Sequence, residues 1–173
     1  MGMVRSEGAN WSSVDWTGFP NVSQPQISRL GQSHEATVWV HRDADGSSIM
    51  AMWSAPTDIG WGFDVLVFER HIADRPQVVM SPSGRIIAVW QQSGSPSSRT
   101  SIYASTIDVS INDDIPKWSP PQLLETSEAG DVTDPQLAVD AAGNATVVWR
   151  QADGPAGAPT TRTSAWTNRY TPD

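Results

Sequence analysis

Three stretches of this chain share one spacing. Pro25-Gln26, Pro76-Gln77 and Pro135-Gln136 each open a segment that closes, fourteen residues after the proline, on Trp39, Trp90 and Trp149. Between the anchors the pattern is Pro-Gln, an apolar residue, a turn, and a β-branched run ending on the indole. A spacing held three times is the signature of stacked repeat units, each unable to bury its apolar face alone.

The third copy reads most plainly. Residues 135–139 alternate as a strand does, with one side chain in two on each face. Asp140-Ala141-Ala142-Gly143-Asn144 is a turn, because Asp accepts from the backbone ahead of it and Gly tolerates positive φ. Residues 145–149 form the returning strand. The second copy repeats this with strands at 76–80 and 85–90 around Ser81-Pro82-Ser83-Gly84. The first has strands at 25–30 and 35–40, with Ser33 where the other two turns carry Gly. A proline that opens a strand needs no donor for the ladder.

A polar loop follows each tryptophan, then a third strand, at 49–53, 101–107 and 163–167. Trp61-Gly62 and Trp118-Ser119 open fourth strands at 61–69 and 118–125. The abundance of Gly (13), Pro (13) and Trp (9) fits short strands, tight turns and bulky wedge fillers rather than long helices.

Repeated four-stranded antiparallel units are the blades of a β-propeller. The expected fold is therefore all-β, with three four-stranded blades per chain. Residues 1–10 read as a flexible N-terminus. Residues 11–173 read as one propeller-type domain, with repeats at about 25–69, 76–125 and 135–170. The fourth strand is out of phase: Trp11-Ser12 begins one ahead of the first hairpin, at 11–19, and the third repeat has none. Three blades cannot close a ring, since propellers use four to eight. A second copy makes six, and 11–19 then completes the neighbour's last blade. The expected partner is the chain itself, as a homodimer. A longer propeller of which this is a fragment is the alternative.

The pairing of Trp118-Ser119-Pro120-Pro121 with Pro135-Gln136-Leu137-Ala138-Val139-Asp140-Ala141-Ala142-Gly143-Asn144-Ala145-Thr146-Val147-Val148-Trp149 resembles the repeat of bacterial β-propeller proteins of the sialidase-like, BNR/Asp-box-like type. The resemblance covers the repeats and no catalytic motif. It implies a propeller scaffold used for recognition or assembly, with a lectin-like glycan site as one option. A sialidase-like glycoside hydrolase, or another hydrolase, is the alternative, and a purely structural unit is a third.

Charge narrows the partners. The formal net charge is −8 and Lys117 is the only lysine, which argues against a nucleic acid, whose affinity rests on clustered cations. No apolar run approaches the ~20 residues of a membrane span, so no membrane partner is expected. The first residues lack the apolar core of a signal peptide, and the chain reads as soluble, in the bacterial cytoplasm or secreted. Without cysteine there is no disulfide, thiolate metal site or cysteine nucleophile.

The candidate residues are few. Trp16, Trp53 and Trp166 lie outside the Pro-Gln to Trp anchors and are candidates for stacking on a sugar face. His34, Arg85 and Asn144 occupy equivalent turn positions and are candidates for a ligand site at one end of the repeats. Asp43-Ala44-Asp45-Gly46 has the opening form of a Ca²⁺ loop but not the rest of one, so Asp43 and Asp45 read first as a polar turn. No cofactor is expected. No pair of carboxylates stands out for glycosidase chemistry, which needs an acid and a base or nucleophile across the sugar.

Overall fold

A computed structural model of the chain describes residues 19–31, 34–54, 61–66, 72–95, 98–109, 116–127, 129–154 and 162–172. The described residues form an all-β structure. The first repeat contains β1 (Val22–Leu30), β2 (His34–Arg42), β3 (Ser47–Ser54) and β4 (Trp61–Val65). The second contains β5 (Ile72–Met80), β6 (Arg85–Ser93), β7 (Ser101–Asp108) and the two-residue β8 (Gln122–Leu123). The third contains β9 (Val132–Val139), β10 (Ala145–Ala152) and β11 (Thr163–Tyr170). Within each repeat, neighbouring strands run antiparallel in chain order.

Two departures from the expected pattern have local causes. The first two repeats are joined at their rim by one parallel bridge, Ser47 to Ile72, so their strands form a continuous hydrogen-bonded set. The fourth strand expected at 118–125 shrinks to Gln122–Leu123. Pro120 and Pro121 have no N–H to offer a ladder. Trp118-Ser119 is still held, by Ser119 N–H donating to Thr106 O at 2.8 Å. The expected exchanged strand at 11–19 lies outside the described residues except for Phe19.

The proline of each repeat does not open its strand. β1, β5 and β9 begin three or four residues earlier, and the residue before each proline sits at positive φ: Gln24 at 54°, Arg75 at 51°, Asp134 at 56°. At each of these places the pairing register shifts. The shift is a β-bulge, which removes one residue from the ladder and so accommodates a proline inside a strand.

The alternation of side chains gives each sheet a front face, carrying the repeat tryptophan, and a back face. Ile86, Ala88 and Trp90 on the front of the second repeat pack in one core with Ala36, Val38 and Val40 on the back of the first. Val147 and Trp149 on the front of the third pack with Val89 and Ile102 on the back of the second. β5 lies against both β1 and β9. The three sheets are therefore stacked in chain order, front onto back, with their first strands adjacent. Among the described residues no helix is long and apolar enough to cross a membrane.

Trp39, Trp90 and Trp149 are all buried, at 7%, 0% and 3% exposure. Their partners differ. Trp90 donates its indole N–H to Gln92 at 2.9 Å, and Trp149 donates to Gln151 at 3.4 Å. His41 stands where a glutamine would serve Trp39, and the Trp39 N–H has no partner among the described residues.

Candidate functional site

Two places gather polar or open features. One is the line of bulges where the first strands lie side by side. The other is the wedge between the second and third sheets.

At the bulges, side chains from all three repeats join. Gln24 Nε2 donates to Asp74 at 2.7 Å, and its Oε1 accepts from the backbone N–H of Arg75 at 2.7 Å. Arg42 donates to Ser23 at 2.6 Å and to Asp74 at 2.9 Å. Arg75 pairs with Asp134, which also pairs with Arg150 at 3.1 Å. Three non-glycine residues held at positive φ cost on the order of 1–3 kcal/mol each. Here the strained residue of each of the first two repeats reaches the next, Gln24 to Asp74 and Arg75, and Arg75 to Asp134. The sequence carried a signal for this, the residue before Pro-Gln, but it varies from Gln to Arg to Asp and so does not look like a motif.

The second wedge contains a partly open cavity of about 390 Å³. Its lining combines apolar side chains, among them Ile87, Val89 and Leu137, with polar ones, among them Ser119, Asn168 and Tyr170. Asn168 crosses the wedge to donate to Leu124 O at 2.9 Å. Arg85 crosses it from the other end, donating to the Tyr170 hydroxyl and to Asp108 at 3.2 Å, with its guanidinium carbon 5.7 Å from the Tyr170 ring centre. Burial works against the Arg85 charge, but Tyr170 and Asp108 outweigh it and hold its pKa above the usual guanidinium value.

The cavity follows from two positions. In the first wedge Trp53 projects from the back of the first sheet, 4% exposed, and meets Trp118 edge-on at 5.9 Å. Trp53 pairs with Ala36 across the strands, as Thr106 pairs with Ile87 in the second repeat. Thr106 is thus the equivalent of Trp53, and among the described residues the second wedge has Trp149 but no counterpart of Trp53 or of Trp118. Gly62 lies across the strands from Trp53, directly under its indole, where any Cβ would collide with the ring.

The residues singled out from sequence do not form one site. Trp53 is core, with no ring face left for a sugar. Trp166 lies on β11 opposite Trp149 and is 38% exposed. Trp16 lies outside the described residues. Arg85 is committed to the second wedge. Asn144 locks its own turn, donating its backbone N–H to Asp140 Oδ1 at 2.9 Å and its side chain to Oδ2 at 2.8 Å. These bonds, led by the Asn144 side chain, hold the Asp140 carboxyl below its ordinary pKa. His34 begins β2 opposite Leu30. Asp43 accepts from the N–H groups of Asp45 at 2.9 Å and Gly46 at 3.1 Å, which makes it a turn residue. Among the described residues, no group of three or more His, Asp and Glu side chains could hold a metal ion.

Compared with known proteins, the chain matches no family model, no curated protein and no solved structure.

Proposed function

We propose that this chain is an assembly module of β-propeller type, contributing three blades to a six-bladed ring completed by a second copy. One observation carries the reading. Pro76 and Pro135 are less than 2% exposed, each beneath the repeat stacked on its front side, whereas Pro25 is exposed. The position that two repeats bury against a neighbour is bare in the first.

The two outer faces support the same reading. The front of the first repeat exposes large apolar side chains: Val22 is 48% exposed, Ile27 61% and Phe63 46%, all on the Trp39 side by their cross-strand pairing. The back of the third is more polar, with Gln136, Thr146, Arg150 and Thr167 exposed around a single exposed valine, Val148. Unlike faces at the two ends of a stack suit a head-to-tail closure better than two like faces meeting.

Ile27→Asp tests the assembly. A charge at an exposed site changes the fold's own stability by no more than about 0.5 kcal/mol. In the assembled protein it would be buried and unpaired. Sedimentation should show the native chain assembled and Ile27→Asp dissociated with unchanged circular dichroism. Equal masses for the two would remove this face from the interface. A glycan is the second reading, favoured by the exposed indole of Trp166; a glycan array run with native protein and Trp166→Ala tests it.

A further inference from the structure

We infer that the cavity of the second wedge is a socket for Trp11 of a second copy. The inference rests on the assembly reading and names the residue that completes it.

The first two repeats show how a fourth strand enters. In the first, Trp61-Gly62 pairs with Ser54 and Trp53. In the second, Ser119 clips both ways onto Thr106: its N–H donates to the Thr106 carbonyl at 2.8 Å and its hydroxyl accepts from the Thr106 N–H at 3.0 Å. The tryptophan just before it, Trp118, is thereby turned into the wedge on the front side of its own sheet. In the third repeat, the place of Thr106 belongs to Arg169, which pairs with Thr146 as Thr106 pairs with Ile87. Among the described residues no strand covers the outer edge of β11. The cavity borders Arg169 and Tyr170 on that side and Thr106, Ser119 and Pro120 on the other. An indole docked by the same rule would enter it.

Trp11-Ser12 is the matching dipeptide, identical to Trp118-Ser119 and set at a similar interval ahead of the next Pro-Gln. Its source follows from the order of the stack. The link from β4 to β5 leaves the sheet that lies on the front of the second repeat, and the link from β8 to β9 leaves the sheet on the front of the third. Phe19 lies on the front of the first repeat, stacked on Phe63 at 5.2 Å and tilted against Trp39 at 5.8 Å. A strand formed by the residues ahead of it would therefore belong to a sheet on that front face. No repeat of the same chain lies there among the described residues. The third repeat of a second copy does, and its wedge is the one that holds the cavity.

The test uses the full-length chain. Trp11→Ala should weaken self-association at least about tenfold, as truncation of a buried aromatic anchor does, with unchanged circular dichroism. A synthetic peptide of residues 9–20 should bind the Trp11→Ala chain by calorimetry, and the same peptide with alanine for Trp11 should not. Thr106→Trp with Ser119→Gly, which copies the first wedge and fills the cavity, should abolish peptide binding. A Trp11→Ala dimer as tight as the native one overturns the socket and leaves the assembly intact. A native chain that is monomeric, and loses thermal stability on Trp11→Ala, overturns the second copy as donor. A monomer indifferent to Trp11→Ala overturns the assembly reading itself.

Discussion

The two inter-sheet wedges are built on one pattern and filled differently. The first holds Trp53, Trp90 and Trp118 around Val38 and Ala88. The second holds Trp149 and a cavity, because Thr106 stands where Trp53 does and no counterpart of Trp118 reaches it among the described residues. Spacing alone thus makes the sheets stack. Whether a wedge is closed depends on two positions, one on the back of each third strand and one at the start of each fourth. The pair across the strands is matched in size: Trp53 lies over Gly62, and Thr106 faces Ser119.

The largest expected effect is at the filled wedge. Trp53→Ala or Trp90→Ala should destabilise by about 3–5 kcal/mol in chemical denaturation, as large-to-small core changes do. A loss below about 1 kcal/mol would erase the contrast between the wedges. Gly62→Ala comes next. Its new methyl must displace the Trp53 ring, so a cost on the order of 1–3 kcal/mol is expected. Ser119→Ala, at the equivalent site, should lose no more than its hydrogen bonds, about 1 kcal/mol. Equal costs at the two sites would mean that the wedges are filled alike.

These wedges show what sequence could and could not yield. The Pro-Gln to Trp spacing marks the hairpins because it sets both the strand length and the face on which each indole lies. Trp39, Trp90 and Trp149 are buried as that spacing implies. The bulges were hidden, because a bulge is made by a backbone angle and three different side chains adopt it: Gln24, Arg75 and Asp134. The Trp-x-Gln bond was hidden by its exception at His41. The candidate ligand residues failed to converge for a related reason. His34, Arg85 and Asn144 are equivalent in the repeat, but equivalence fixes only a place on a sheet, and each of the three sheets uses that place differently.

The smallest effect concerns the turns. Asp140 is exposed, and its carboxyl is held below its ordinary pKa mainly by Asn144. A depressed folded value contributes stability that is present above the unfolded pKa of about 3.9 and is lost as pH falls through the folded value. Asp140→Ala should therefore slightly lower stability at neutral pH and flatten the acid limb of the stability profile, so that native and variant converge below the folded pKa. An Asp140 pKa at or above that of a free aspartate, read by NMR, would contradict the turn geometry.

The central claim is that a wedge left open within one chain is closed by another. Mass in solution, measured by light scattering across a range of concentrations, tests it most directly. The account predicts a species of twice the 18.7 kDa of a single chain, giving way to single chains only on dilution. A compact single chain at every concentration would contradict it.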